Sequence, residues 1–550
     1  MDVQKDVFIP MRDGVHLAAD IYGPTNAGPR PALLTRTPYV KGGMIGSMLG
    51  ATGRPRTGVV GPMRLRPGQN PMLMMLEPLV QAGYVVVVSD TRGTGHSEGV
   101  YDYYNFQGGP LDGYDTIEWI AAQPWCDGNV GMFGSSAGAV LGYAAAITQP
   151  PHLKALVANM HPADFYFDQW FVGGVFRYED RISWATGQIA RIAPLDPGNP
   201  DEPAYERKRQ VYEDRFNQYY RRVRAGKNPV NVDWLTEMYQ RPAYDEYWQS
   251  ISFARRLSDI KVPTLHGGVW HDHFIRGTLH SHEGVNVSKR LFVLPGGLDQ
   301  SGQAGDGGFA QAQVRWFDHF LRGVENGVLA EPGARLYLTG AERWLDAPAW
   351  PVPATETAFY LAPGPGGGAD SRNDGLLLSE PAGSAAPTTI DHDPACPNRT
   401  PASTTDQRSF ERGCLTFSTP PLERDLTVIG TPRLILHAAS DAADVDWCVR
   451  LCDVYPDGRS RLLNAGALKG SHVFSHERPQ PLEARRVYEF PVEVWPVGNV
   501  FQRGHRIRID LSTSDYPYFE PNPVASHNTI FHDSERPSRL VLPVVSSGSL

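Results

Sequence analysis

Cysteine is scarce in this chain: Cys126, Cys396, Cys414, Cys448 and Cys452 are five among 550 residues. So sparse and odd a count excludes a disulfide framework, and the spacings match no thiolate metal site. Cys448 and Cys452 lie four apart in a strand-like run, about 13 Å along an extended chain, too far to bridge. Cys396 and Cys414 flank one loop and could pair, but sparse usage favours reduced thiols. No apolar run approaches the roughly 18 residues of a membrane span. The start, MDVQKDVFIPMRDG, is charged at once and has no signal-peptide apolar core. Nor is there a basic run: 51 Lys and Arg stand against 60 Asp and Glu, a formal charge of −9. That leaves no electrostatic footprint for nucleic acid and no polybasic membrane patch. The expected location is the cytoplasm, with no cofactor, no metal, and no nucleic-acid or membrane partner. A homodimer is allowed.

What the chain does have is core. It is 41% hydrophobic, 20% charged and 10% aromatic, the profile of a globular protein of about two to four domains. Residues 1–160 alternate strand and helix signals, among them the β-branched run GYVVVVS (Gly83–Ser89) and the helical pattern Asp112–Gln123. Such alternation implies a mostly parallel sheet covered on both faces. Lys41–Leu79, rich in Gly, Pro and Arg, reads as a long loop; its methionines, Met72 among them, suit an adaptable apolar wall over a cleft. Residues 161–255 change character. Phe165 and Trp170 belong to an aromatic crowd, and Glu202–Arg224 is a charged helix with Tyr212, Phe216 and Tyr219 on its apolar face, so a helical cap is expected. Strand and helix patterns resume over 256–330, and from 333 to 550 short β-rich runs between Gly/Pro/Asp turns imply an all-β sandwich or jelly roll.

The sharpest local signal is Gly134-Ser135-Ser136-Ala137-Gly138, between an apolar strand and an Ala-rich helix. In a nucleophile elbow the turn is so tight that small residues must flank the serine. The serine is thereby presented at a helix N-terminus, where free N–H groups favour a developing oxyanion.

The segment WCDGNVGMFGSSAG (Trp125–Gly138) resembles the elbow region of the cocaine-esterase and X-prolyl dipeptidyl-peptidase hydrolases. The resemblance runs on through IPMRDGVHLAADIYGP, TRTPYVKG, SDTRGTGHSEG, DGYDTIEWIAAQPW, WHDHF, WFDHFLRG, GAERW, GHRIRIDLSTSDYP and RPSRLVLP, in that order, and covers nearly the whole chain. It implies an α/β-hydrolase domain with an inserted helical cap and a C-terminal all-β jelly roll. It also implies site roles: Ser136 as nucleophile, Asp272 as triad acid, and the Tyr39 hydroxyl with the Ala137 N–H as oxyanion donors. The plain alternatives are a packed aromatic for Tyr39 and a turn residue for Asp272.

The histidine departs from the pattern. Where the family carries G-P-W-x-H, this chain reads Pro295-Gly296-Gly297-Leu298, so Leu298 stands in the histidine's place. Without a base a serine hydroxyl is a poor nucleophile; losing the histidine costs a factor of about 10⁶, or about 8 kcal/mol of barrier. His273 beside Asp272 is the leading replacement; His96, His271, His280 and His282 are the others. Three functions follow from this. One is a hydrolase or acyltransferase with a relocated base, acting on a bulky apolar small molecule, with Leu298, Phe165, Trp170 and Met72 lining its pocket. The second is a repurposed enzyme catalysing cyclisation, rearrangement or carbon–carbon bond formation. The third is a non-catalytic binding module.

Overall fold

The computed structural model describes residues 2–41, 71–102, 110–228, 232–295, 307–366, 368–401 and 403–546. Ten strands form the first sheet: β1 (Val3–Pro10), β2 (His16–Tyr22), β3 (Arg30–Thr37), β4 (Val85–Asp90), β5 (Cys126–Ser135), β6 (Leu153–Asn159), β7 (Thr264–Val269), β8 (Lys289–Leu294), β9 (Ala334–Leu338) and β10 (Arg343–Ala347). Their spatial order is β1-β2-β4-β3-β5-β6-β7-β8-β9-β10. From β4 through β9 every pairing is parallel, and the outer pairs at both ends are antiparallel. The run Val85–Val88 is buried throughout, as a strand covered on both faces must be.

Helices cover the sheet. α1 (Pro71–Gln81), α2 (Pro110–Ala121) and α3 (Ala137–Ile147) precede the cap; α4 (Tyr178–Ile192), α5 (Tyr205–Arg224), α6 (Asp233–Tyr239) and α7 (Glu246–Ile251) build it; α8 (Ile275–Gly284) and α9 (Phe309–Arg322) follow. The α/β-hydrolase fold with an inserted helical cap is therefore present. The rest of the chain forms a 13-stranded sheet system wrapped around its own apolar core, in which Trp447, Phe490, Phe501 and Ile509 are buried. This is the expected β-sandwich.

Three expectations are corrected. Part of the supposed loop Lys41–Leu79 is helix α1, which carries Met72 and tolerates Pro78 near its end; Met44, Met48 and Met63 lie outside the described residues. Arg335–Leu338, assigned from sequence to the sandwich, extends the hydrolase sheet, with Leu291 opposite Ala334. A β-run shows its strand but not which sheet edge it completes. Finally, α5 does not bury Phe216, which is 57% exposed; its inner face carries Lys208, Val211 and Arg215. Charge fixes that helix: Arg215 donates to the carbonyls of Gly95 and Ser97, at 2.6 and 2.5 Å, and Lys208 bridges Asp6 and Glu202.

Candidate active site

β5 runs straight into α3, and the joint is Ser136, at φ 55° and ψ −121°. A non-glycine residue in that region costs about 1–3 kcal/mol and persists only where its surroundings impose it. Here they do: the Ser136 N–H donates to the carbonyls of Asn159 and Met160, at 2.9 and 3.1 Å, at the end of β6. Gly134 is obligatory, because a Cβ there would penetrate the Gly138 carbonyl; a Cβ on Gly138 would meet Arg36 O at an ordinary 3.4 Å. Ala137 is the first residue of α3, where the helix offers its N–H no acceptor of its own.

Tyr39 follows β3, the strand beside β5. Its hydroxyl accepts a 3.1 Å hydrogen bond from Trp184 Nε1 on α4, which brings the cap over the elbow side of the sheet. Two residues on, Lys41 anchors the turn: its Nζ is 2.6 Å from Asp6 and 2.9 Å from Asp20, and its N–H donates to Asp90 at 2.5 Å. Burial opposes the Lys41 charge, but Asp90, Asp20 and Asp6 together outweigh it and hold the ammonium.

Asp272 lies past the end of β7. Ser135 pairs with Asn159 and Asn159 with Gly267, so elbow and acid loop leave the same edge two strand spacings apart, about 10 Å. Asp272 is buried, and its Oδ2 has no hydrogen-bond partner among the described residues. Burial pushes its carboxyl up to about 7, against the pull of Arg177 and of N–H groups in its own loop. His273 Nδ1 sits 3.8 Å from Asp272 Oδ1, and its ring meets Phe274 edge-on. Both residues, with His271, line a cavity of about 70 Å³ whose far wall, including Asn464, Trp495 and Tyr518, belongs to the C-terminal domain. Burial lowers His271 to about 3, so it is neutral at ordinary pH.

The other histidines are placed elsewhere. His96 is 3.2 Å from Asp6 and 3.3 Å from the Asp196 carbonyl. His282 is 3.2 Å from His266, in a buried cluster with Tyr143, and His280 is exposed. Phe165 and Trp170 are packed inside the cap's aromatic core, Phe165 on Phe253 and Trp170 among Phe176, Trp234 and Trp248. Trp234 in turn meets Trp184 at 5.7 Å, so a chain of rings runs from Trp170 to the tryptophan that holds Tyr39. Leu298 lies outside the described residues. Sequence reasoning missed Trp184, Lys41, Asn159 and Arg177. For Arg177 a signal existed, a lone cation within FVGGVFRYED. The others act through contacts that no spacing encodes. Among the described residues no three metal-ligating side chains converge, and no helix is long and apolar enough to cross a membrane.

Comparison with known proteins bears on the family and the fold. The X-Pro dipeptidyl-peptidase (S15 family) profile matches residues 13–297, and that of the X-Pro dipeptidyl-peptidase C-terminal non-catalytic domain matches residues 326–541. The chain is 31% identical to the cocaine esterase of Rhodococcus sp. (strain MB1 Bresler), over 99% of this chain and 98% of that one. Among solved structures, an aminopeptidase from a marine sediment Thaumarchaeota archaeon superposes with a TM-score of 0.78 at 23% identity, covering 99% of this chain and 96% of that one. An α-amino acid ester hydrolase superposes at 0.77 with 24% identity and the same coverage. At such identities the structural likeness speaks for the fold. The two profiles and the full-length relative go further: this chain belongs to the X-Pro dipeptidyl-peptidase S15 family of α/β-hydrolase enzymes, to which its cocaine-esterase-like sequence had pointed.

Proposed function

We propose that the protein is an esterase or acyl-transfer enzyme that opens an ester or amide of a bulky apolar small molecule through an acyl-Ser136 intermediate. The observation that supports this most is the elbow: Ser136 is held at positive φ on the sheet edge that also carries Tyr39 and Asp272. Ser136 Oγ attacks the acyl carbon while its proton passes to a base. The carbonyl oxygen, now negative, is met by the Ala137 N–H and the Tyr39 hydroxyl, and the leaving group departs with a proton. His273 takes the base's role, because it stands 3.8 Å from the Asp272 carboxylate. The triad is thus atypical, with Leu298 at the sequence position of the family histidine. An apolar residue there suits a dry pocket and an apolar acyl group.

Intact-mass analysis after fluorophosphonate treatment, with p-nitrophenyl ester turnover, tests the proposal. Wild type should gain one adduct and Ser136→Ala none. His273→Ala should lose turnover as completely as Ser136→Ala does, and Tyr39→Phe should lose about 10²–10³-fold in kcat. Leu298→His should raise turnover of small activated esters. A wild-type rate equal to buffer, unchanged by any of these substitutions and with no adduct, would sink the hydrolytic reading.

A further inference from the structure

Arg177 is 0% exposed, yet it belongs to three parts of the molecule at once. It stands immediately before α4 of the cap, without a side-chain bond to that helix's first N–H groups. Its Nη1 donates to the His273 carbonyl at 3.1 Å, in the acid loop, and to the Asp168 carbonyl at 3.2 Å, while Nη2 pairs with Asp180. Its guanidinium lies 5.5 Å from the Trp495 ring and 5.8 Å from the Tyr518 ring, both from the C-terminal domain. That domain grips the other end of the same loop, where Asn464 Nδ2 donates to the Trp270 carbonyl at 3.1 Å. Burying an arginine this completely is costly unless charge, hydrogen bonds and ring faces all compensate. All three are present.

We propose that Arg177 is a positioning residue for the acid of the active site, and that the C-terminal domain acts on catalysis by holding Arg177 between Trp495 and Tyr518 against the Asp272–His273 loop. The proposal rests on the reading of Asp272 as the site's acid. It gives a catalytic consequence to a domain whose family description calls it non-catalytic. The charge environment supports the geometry: burial favours the neutral acid, and Arg177, ahead of Arg181, pulls the other way. Among the described residues, Asp180, Arg276 and Arg450 near the acid are ion-paired. Asp180 is held down at about 2 because Arg177 and Arg181 overcome its burial. Arg276 is paired with Asp168 and Glu493, and Arg450 with Asp515. Burial keeps His271 neutral and favours the protonated Tyr518 phenol. His273 flanks the acid at 3.8 Å.

The test uses the full-length protein as wild type, Arg177→Lys, Arg177→Met and Trp495→Leu. Two readouts are taken: the rate of fluorophosphonate labelling at Ser136 from pH 5 to 9, and amide hydrogen exchange across residues 270–276. Arg177→Met should move the acidic limb of the labelling profile to higher pH by at least half a unit and raise exchange of the Asp272 and Ile275 amides at least tenfold. Arg177→Lys should restore most of the limb, because the charge remains, but not the exchange protection, because the forked donors are gone. Trp495→Leu should shift both readouts in the same direction by a smaller amount. An unmoved limb with unmoved exchange in Arg177→Lys and Trp495→Leu would overturn the proposal, even if Arg177→Met fails to fold. If wild type does not label at any pH, the hydrolytic reading fails, and exchange alone still decides: wild-type protection in the variants refutes the clamp.

Discussion

Asp272 is a buried carboxylic acid, one of whose oxygens finds no partner among the described residues, and its protonation is linked to folding. Its folded value, about 7, lies above the ordinary 3.8. Its contribution to stability is thus fully present below about pH 4 and is lost as pH rises through 7, at most about 4 kcal/mol in all. Asp272→Asn, neutral at every pH and of the same shape, should lose less stability than wild type between pH 5 and 8. Urea denaturation across that range checks the sign, and parallel curves for the two proteins would refute it. The segment WHDHF singled the residue out as a candidate, but its environment could not be read there. The groups that act on it, Arg177 and Arg181, lie about 90 residues away in sequence on a cap helix. The same limit hid Trp184, which meets Tyr39 in a contact across 145 residues.

At the scale of elements, the strand–turn–helix of the elbow was readable because its constraints are local: an apolar run, a glycine, a serine and an Ala-rich helix. Even there the two flanking glycines are not equivalent. Gly134→Ala should unfold the elbow, since its Cβ has no room against the Gly138 carbonyl, whereas Gly138→Ala should change stability by no more than about 1 kcal/mol. Thermal denaturation of the pair distinguishes these outcomes, and equal losses would contradict the geometry. Helix α5 shows where periodicity misleads. Of the aromatics expected on its apolar face, Tyr219 packs against the core and Tyr212 is half-buried, but Phe216 points to solvent while Lys208 and Arg215 are buried. Hydrophobic spacing finds a helix's buried face only when its partner surface is apolar. Here the partner is a row of carbonyls and carboxylates.

Across the whole molecule, the three parts announced by composition are joined more tightly than composition could show. Thr339, just past β9, exchanges backbone hydrogen bonds with Gly498 and Val500 at 2.9 and 2.8 Å, and Tyr178 and Glu179 of the cap donate to Tyr518 and Pro517, each at 3.0 Å. Trp270 packs directly on Gly498 and donates to the Tyr337 carbonyl at 2.6 Å. Gly498→Ala should therefore press on the acid loop through Trp270, costing about 1–3 kcal/mol and slowing Ser136 labelling together. Calorimetry and labelling rates on one preparation would show both effects, and a stability loss with labelling untouched would separate the interface from the site. The hairpin β9–β10 has a consequence of its own. Because β9 hydrogen-bonds along β8, a polypeptide ended near residue 330, where the sequence changes character, would bare the row of N–H and C=O groups on a strand whose Leu291, Phe292 and Val293 are buried in the intact chain. An unpaired apolar strand of that kind recruits a copy of itself. Such a shortened polypeptide would accumulate as edge-to-edge oligomers, whereas a cut made beyond Ala347 would leave that border sealed by the antiparallel β10.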